Sequence, residues 1–216
     1  MTWILDHLGD IWELTLAHVW LSGLPLLIGL VLALPIGWFA HRWTRARAAI
    51  LTTSGLLYTI PSLALFVILP LVLGTPILSP INVVIAMTLY TIALLVRTVV
   101  DGLSSVPDDV ALAATAMGYS RWRRVLAVEL PLAVPVIAAG LRVAAVSNVS
   151  IVSVASIIGT RQLGLLLTDG FNRAIPGALF AGIVASVLLA LAFDGAIRLS
   201  ERLLTPWRRA QVGGAT

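Results

Sequence analysis

The residues best suited to specific chemistry lie in one polar segment, Leu112–Pro131, inside a chain that is otherwise almost entirely apolar. Three arginines fall within positions 121–124, and guanidinium groups pair readily with carboxylates and phosphates. Ala113 and Ala114 precede these arginines, and side chains this small let another surface approach closely. The segment therefore predicts a contact site for a partner surface.

The same segment carries a long pattern with fixed gaps, which begins with two alanines and ends with a Leu-Pro pair. Its members are Ala113, Ala114, Gly118, Val128, Leu130 and Pro131. The pattern resembles the cytoplasmic "EAA" loop of permease subunits in binding-protein-dependent, ATP-driven (ABC) importers. The resemblance implies that these residues couple the chain to a separate ATPase subunit, which would hold ATP and Mg. One position departs from the family, because Leu112 stands where the family has a glutamate.

Local signals predict that this loop folds as two short helices. Ser105 and Asp108 have the spacing of a capping pair at a helix start. Gly118 can adopt a positive φ and so end that helix. Ser120 can cap a second helix, which Pro131 would terminate or redirect into the next membrane span. We therefore expect a compact two-helix loop hinged at the glycine.

The composition indicates a membrane protein. Hydrophobic residues make up 59% of the chain and the mean hydropathy is +1.02, whereas soluble domains are about 45–50% apolar. All fourteen basic residues are arginines beside the ends of apolar runs, as in membrane proteins, so the formal charge of +4 does not indicate a nucleic-acid partner. There is no cysteine and the three histidines are scattered, so the sequence predicts neither a disulfide nor a metal site.

Several apolar runs reach the roughly 20 residues that a helix needs to cross a bilayer. They predict an all-α integral membrane protein with one permease domain, residues 1–216. We expect an interfacial helix over residues 1–16, a five-span core over residues 17–198 that contains the loop 101–131, and a cytoplasmic tail over residues 199–216. The five predicted spans are residues 17–40, 48–73, 81–100, 132–158 and 175–197.

The distribution of arginine predicts the orientation of the spans. Residues 1–41 contain no lysine or arginine, whereas the 42–47 connection, the 101–131 loop and the tail are rich in arginine. On the other side only Arg161 and Arg173 occur. Positive charge concentrates on the cytoplasmic side of membrane proteins. We therefore expect a protein of the cell membrane (plasma or inner membrane). Its N-terminus would lie on the outer side, and the loop and the C-terminus in the cytoplasm.

Two further segments, Tyr58–Phe66 and Glu129–Pro135, are similar to permeases for compatible solutes such as glycine betaine, choline, carnitine or proline. This similarity implies a type I ABC importer permease with a methionine-permease-like core. It also implies an extracytoplasmic solute-binding protein and a second permease subunit, identical or paralogous. Importers for methionine and other small solutes share the core, so that alternative stays open. Arg161 and Gln162 depart from the glycine-rich loop that the family has after the fourth span.

Polar residues inside the spans are candidates for the translocation pathway. They are Pro61, Ser62, Ser147, Asn148, Ser150 and Ser153. The proline and Ser62 interrupt the second span, and the serines of the fourth span recur every three residues. Asn148 is the strongest candidate among them, because an amide in hydrocarbon is costly. Small and hydroxylated residues also let membrane helices pack closely, so a packing role remains open for the serines.

Three charged features lie within or beside the spans. Arg142 falls about ten residues into the fourth span, where an arginine is a functional candidate but is expected to extend toward the cytoplasmic interface. Arg97 with Asp101, and Asp194 with Arg198, have the i,i+4 spacing of structural ion pairs.

Enzymatic activity is not predicted. The chain has no G-x-x-x-x-G-K-[ST] segment, no lysine, and none of the common hydrolase or metalloprotease motifs. ATP hydrolysis and its cofactors are therefore expected on another subunit, with no cofactor on this chain. A channel or membrane scaffold without ATP coupling would explain the spans, but it would leave the patterned loop without a purpose.

Overall fold

The computed structural model describes residues 2–207, and within that range the chain is helical with no strand. Residues 208–216, half of the predicted tail, lie outside the described residues. The helices are α1 (Thr2–Asp6), α2 (Leu8–Arg42), α3 (Thr44–Thr59), α4 (Ser62–Leu73), α5 (Pro80–Ser104), α6 (Asp108–Ala116), α7 (Arg121–Arg124), α8 (Leu130–Val154), α9 (Gly164–Asn172) and α10 (Pro176–Leu204). A π-helical turn (Val125–Glu129) joins α7 to α8, and a 3₁₀ turn (Ala155–Ile158) follows α8.

Four stretches of helix are long and apolar enough to cross a membrane: α2, α5, α10 and the continuous run Arg121–Ile158. Together, α3 and α4 are apolar enough to cross as well, but only as a sharply bent pair, which is either a broken fifth span or a re-entrant loop. The predicted all-α membrane architecture is therefore confirmed, with four spans, or five if the bent pair crosses the membrane.

The core is built around α5, which packs against α2, α3, α4 and α8. Its inward side chains Val83, Met87 and Val96 are fully buried. Small residues on α2 let it approach α5 closely. A Cβ added at Gly37 of α2 would lie only 2.6 Å from the Val99 side chain of α5. Because lipid is as apolar as these side chains, close packing rather than hydrophobic burial holds such helices together.

The second span breaks at Pro61, as predicted. The axes of α3 and α4 differ by 101° across this break, and Ile60 takes the extended backbone conformation that a following proline favours. The break frees the carbonyl of Ile60, which accepts a hydrogen bond from the Tyr90 hydroxyl of α5. A second proline, Pro70, lies within α4 without ending it.

The N-terminal segment differs from the expected interfacial helix over residues 1–16. The helix breaks at His7, where the ring stacks on Trp3 at 4.2 Å between centroids, and α2 then runs without interruption from Leu8 into the first span. At 35 residues, α2 is roughly 52 Å long, well beyond a hydrocarbon layer of about 30 Å. Whether its first turns lie in the interface stays a prediction.

One helix was not predicted. The segment between the last two spans contains α9, which packs against α10 and begins without a side-chain cap. At nine residues, α9 is too short to be recognised as a membrane span from its hydropathy. It also lacks the capping residues by which the start of a helix is recognised in a sequence. Its formation depends on the surface of α10.

Candidate coupling loop and translocation path

The patterned loop reverses direction at Gly118, as predicted. The helix α6 ends at Ala116, and Gly118 has φ +83°, the left-handed conformation that glycine adopts without strain. The amide of Tyr119 then donates to the Ala114 carbonyl at 3.1 Å, which closes the end of α6. Ser120 occupies the N-cap position of α7 in extended conformation, although its hydroxyl makes no capping hydrogen bond. The Gly118 reversal is therefore confirmed, whereas Ser120 stands at the start of α7 without forming the predicted side-chain cap.

The predicted capping pair at the start of the loop is wrong. The N-cap residue of α6 is Pro107, and Asp108 is already in its first turn. Ser105 instead follows the last residue of α5, and its hydroxyl donates to the Gly102 carbonyl at 2.7 Å. The reason is Pro107, which disfavours helical conformation at the residue before it and so separates Ser105 from α6.

The second helix of the loop does not end at Pro131 either. Instead, α7 passes through the π-helical turn into α8, and the amide of Leu130 donates to the carbonyl of Val125, five residues earlier. Proline in an α-helix removes one backbone donor and collides with the carbonyl four residues before it. A single π turn accommodates such an irregularity. The loop is thus one free helix, α6, and one that continues directly into the fourth span.

The two alanines of the pattern have different surroundings. Ala114 is 1% exposed and packs within the loop itself, whereas Ala113 faces outward. We expected both alanines to face a partner. Only Ala113 is exposed and can do so, since Ala114 is buried. The apolar side chains that the loop does expose are larger and escaped sequence analysis. They are Leu112, Met117, Trp122 and Leu126, each at least 61% exposed.

One arginine of the loop acts as an internal brace. The Arg124 guanidinium donates from Nε to Glu129 Oε1 at 2.6 Å, and from Nη1 to Thr115 Oγ1 at 2.9 Å. These bonds join α6 to the π-helical turn across the Gly118 reversal. Because Arg124 is already paired inside the loop, Arg121 and Arg123 are the arginines that remain for an outside partner.

The loop contacts the end of α2 directly. The rings of Trp38 and Trp122 lie 4.7 Å apart between centroids, and His41 Nδ1 lies 3.1 Å from the Ser104 hydroxyl. A cavity of about 630 Å³ separates the rest of the loop from α2 and α5. The loop, the 42–47 connection and the end of α5 therefore share one end of the bundle.

The predicted pathway residues have mixed surroundings. Pro61 is exposed at the break of the second span, and Ser62 beside it is half-buried. Asn148 is 2% exposed and joins three helices, since its amide nitrogen lies 3.0 Å from Thr91 Oγ1 and 3.3 Å from the Ser22 carbonyl. In this conformation Asn148 therefore bonds α8 to α2 and α5.

The serines of α8 do not share one environment. Ser150 is exposed on the outer surface of the bundle, whereas Ser147 and Ser153 are half-buried. The Ser153 hydroxyl donates to the Val149 carbonyl of its own helix at 3.3 Å. Such bonds to the preceding turn satisfy a hydroxyl inside a membrane helix without any solute.

A second buried network lies toward the other end of α2 and was missed by sequence analysis. His18 is fully buried, with Nδ1 2.9 Å from Gln162 Oε1 and Nε2 3.0 Å from the Val149 carbonyl. The Gln162 amide nitrogen donates to the Val152 carbonyl at 3.0 Å, and its oxygen accepts from the Gly164 amide at 2.5 Å. The network anchors the segment after α8 to α2. Nothing local marks His18, since its partners lie more than 130 positions away.

A third polar cluster joins α8 to α10, and it overturns one prediction. Arg142 does not extend alone toward the interface, because its Nε donates to Asp194 Oδ1 at 2.5 Å. The predicted pair between Asp194 and Arg198 is confirmed at 2.7 Å. By contrast, Arg97 and Asp101 form no ion pair within the part of the chain that the structure describes. The Asp194 carboxylate on the facing helix neutralises the Arg142 charge in place. The Arg142 side chain therefore does not need to extend to the interface to reach water.

Known proteins resemble this chain over almost its whole length. The osmoprotectant import permease protein OsmW of Salmonella typhimurium strain LT2 is 34% identical over 207 residues, which cover 94% of this chain and 96% of OsmW. The glycine betaine/carnitine/choline transport system permease protein OpuCB of Bacillus subtilis strain 168 is 26% identical, over 95% of this chain and 94% of OpuCB.

Solved structures have the same fold. A chain of the MetNI methionine ABC transporter, in an inward-facing conformation, superposes with a TM-score of 0.81 at 18% identity, over 93% of this chain and 98% of that one. A chain of an amino acid ABC transporter superposes with a TM-score of 0.71 at 16% identity, over 92% and 96%. The predicted type I importer permease fold with a methionine-permease-like core is confirmed.

The family model for the inner membrane component of binding-protein-dependent transport systems matches residues 26–206, which include all five spans from the middle of α2 onward. This match agrees with the resemblance carried by the patterned loop. The chain therefore belongs to the family of binding-protein-dependent transport system inner membrane components.

Proposed function

We propose that this chain is the membrane-spanning permease subunit of an ATP-driven importer for osmoprotectants such as glycine betaine, choline, carnitine or proline. The observation that carries the proposal is the similarity to the osmoprotectant permease OsmW over 94% of this chain at 34% identity. Relatives named for glycine betaine, carnitine and choline transport support the same solute class. The methionine transporter shares the fold at only 18% identity, which does not favour methionine as the solute.

ATP hydrolysis belongs to a separate ATPase subunit, which holds ATP and Mg, and this chain carries no cofactor. We assign the coupling role to Ala113, Ala114, Gly118, Val128, Leu130 and Pro131. The buried Ala114 and the Gly118 reversal support this role by giving the loop one shape. Large apolar side chains on a loop between polar residues, such as Leu112 and Met117, mark a surface that a partner covers.

The orientation follows from charge and from which segments share an end of the bundle. The 42–47 connection lies at the same end as the patterned loop, since Trp38 and Trp122 stack. Trp207, just beyond α10, lines a small cavity with Val128 and Pro131, so the C-terminal end lies there too. These are the arginine-rich segments, which supports a cytoplasmic location for this end and an N-terminus outside.

Reporter fusions test this orientation. Enzymes that are active only in the cytoplasm, fused after Arg47 and after Arg124, are both expected to be active because the two positions share one end of the bundle. A fusion after Arg173 is expected to be inactive. Activity after Arg173, or different results at the first two positions, would reverse the assignment.

The full importer contains further components. Five spans are too few to enclose a solute passage, so we propose a second permease subunit, identical or paralogous, across which the passage forms. An extracytoplasmic solute-binding protein delivers the solute at the end opposite the loop. The exposed apolar side chains along α2 and α10 support contact with lipid or with that second subunit.

Asn148 provides a test of the pathway assignment. Asn148→Leu removes the bonds to Thr91 and to the Ser22 carbonyl, and we expect solute uptake to fall about tenfold, since about 1.4 kcal/mol corresponds to a tenfold change in rate. If Asn148 contacts the solute, the assembled importer remains as abundant as the wild type. If its role is packing alone, the thermal stability of the complex falls in parallel with uptake. Val143→Ala serves as the control, because Val143 is exposed on the same helix and is not among the predicted pathway residues.

Reconstitution tests the function itself. The chain is placed in proteoliposomes with the ATPase and the binding protein of the same system, and uptake is measured with and without ATP. We expect ATP-dependent uptake of a labelled osmoprotectant, competed by glycine betaine, choline or proline but not by methionine. Competition by methionine alone would favour the other importer class. Solute flux without ATP, and no retention of the ATPase through the loop, would indicate a channel or scaffold.

A further inference from the structure

A cavity of about 390 Å³ lies at the end of the bundle opposite the patterned loop. Its walls come from the first part of α2, the connection between α4 and α5, and the segment after the 3₁₀ turn. Along α2, the lining residue Trp20 is 18 positions from Trp38, which corresponds to roughly 27 Å of helix. In the proposed orientation, the cavity therefore lies on the side from which a solute arrives.

Two polar groups of this cavity have no partner in the described part of the chain. The Arg161 side chain is exposed and makes no ion pair or hydrogen bond there. Thr160 beside it is only 5% exposed, and its hydroxyl has no hydrogen-bond partner. Buried hydroxyls are almost always satisfied, so an orphan at the wall of a cavity points to a missing partner. The exposed Arg161 guanidinium suits a carboxylate, with which it can form charge-assisted hydrogen bonds.

The remaining wall is apolar and contains one aromatic ring. Trp20 is 49% exposed, and Leu21 and Leu78 line the same cavity. The face of an indole attracts cations, and quaternary ammonium groups are recognised in this way. No acidic side chain lines the cavity. The cavity therefore has one group that suits an anion, Arg161, and one that suits an alkylated cation, Trp20.

The segment that carries Arg161 is held in place rather than free. Its neighbour Gln162 is fully buried and bonds to His18, to the Val152 carbonyl and to the Gly164 amide. His18 sits on the same turns of α2 as Trp20. The buried network thus joins the two walls of the cavity, so Arg161 and Trp20 belong to one preorganised unit.

We propose that this cavity is an entry site for a zwitterionic solute, with the carboxylate at Arg161 and the quaternary ammonium against Trp20. The inference rests on the proposed osmoprotectant function and adds a specificity to it. Solutes with both groups, such as glycine betaine and carnitine, use both walls, whereas choline has no carboxylate for Arg161. The residues that depart from the family's glycine-rich loop, Arg161 and Gln162, then favour carboxylated solutes.

The test compares Arg161→Gln with Arg173→Gln, which removes an exposed arginine at the same end but outside the cavity. Uptake is measured in the reconstituted importer with saturating binding protein loaded with glycine betaine or with choline. Loss of a charge-assisted bond costs about a factor of ten. We expect Arg161→Gln to reduce glycine betaine uptake by about that factor and to leave choline uptake within about twofold, while Arg173→Gln changes neither.

Direct binding gives a readout that does not depend on transport. In the purified importer complex without binding protein, saturation transfer from protein to the N-methyl protons of glycine betaine is measured by NMR. We expect the transfer to be lost in Trp20→Leu and in Arg161→Gln but retained in Arg173→Gln. Equal transfer in all variants, or equal loss of glycine betaine and choline uptake in Arg161→Gln, overturns the entry site. If the wild-type importer transports neither solute, the proposed function itself fails.

Discussion

Gly118→Val is expected to reduce ATP-driven uptake about tenfold, because it destabilises the reversal between α6 and α7. Gly118 has φ +83°, and an L-residue in the left-handed region costs roughly 1–2 kcal/mol, with β-branched residues among the worst cases. No atom lies within 4 Å of a Cβ added at Gly118, so the penalty comes from the backbone and not from crowding. A penalty of about 1.4 kcal/mol in the coupled state corresponds to a tenfold lower rate of uptake, and the backbone penalty at Gly118 is of this size.

A matched control separates the loop from general damage to the backbone. Gly74 ends α4 with φ +65°, and a Cβ added there also meets no atom within 4 Å. Gly74→Val therefore carries a similar backbone cost at the end of the bundle away from the loop, and we expect uptake to stay within about twofold of wild type. Gly118→Asn is expected to retain most uptake, since asparagine tolerates this conformation.

Uptake and ATPase co-purification are measured together for these variants. Gly118→Val is expected to lose both while the chain remains in the membrane at normal amounts. If Gly118→Val pumps at the wild-type rate, or if Gly74→Val loses as much, the loop does not couple the two subunits in the way proposed here.

Asp194→Asn is expected to be the most destabilising single change in the spans. It leaves the Arg142 guanidinium on α8 without the carboxylate that it contacts at 2.5 Å. An arginine left without its carboxylate within a membrane span destabilises the packing of the helices around it. The Arg142 side chain is 32% exposed, so water screens part of this cost. The thermal unfolding midpoint of the purified protein measures the effect.

The double variant tests whether the unpaired charge is the cause. Arg142→Leu with Asp194→Leu removes both charges and is expected to restore most of the lost stability, because two apolar residues pack well between membrane helices. Arg198→Gln serves as the control, since the Arg198 side chain is 54% exposed and exposed pairs contribute about 0–1 kcal/mol. If Asp194→Asn is no less stable than Arg198→Gln, the pair is not a structural element of the bundle.

The shape of the patterned loop was largely predictable from the sequence, for local reasons. The Gly118 reversal and the start of α7 after Ser120 depend on backbone preferences within a few residues, and both are observed, although the Ser120 hydroxyl forms no cap. Errors arose where two local signals competed. A capping serine lost to the restriction that Pro107 imposes, and Pro131 was absorbed by a π-helical turn instead of ending the helix.

The polar residues inside the spans were predicted less well. Asn148 was identified as important, yet its partners Thr91 and Ser22 lie 57 and 126 positions away. The Arg142 side chain was expected to extend to the cytoplasmic interface. Its ion-pair partner, Asp194, lies 52 positions later, and no local pattern links the two residues. His18 and Gln162, 144 positions apart, had no local signal at all.

The sequence by itself determined that the chain is an all-helical membrane protein of about five spans, that the helix breaks at Pro61 and that Gly118 reverses the loop. These properties depend on hydropathy summed over about 20 residues and on the backbone preferences of single residues. Only the tertiary structure decided that Ala114 is buried, that Arg124 braces the loop, and that Trp20 and Arg161 line one cavity. Those outcomes depend on how helices distant in the chain pack, and a local pattern carries no information about which faces meet.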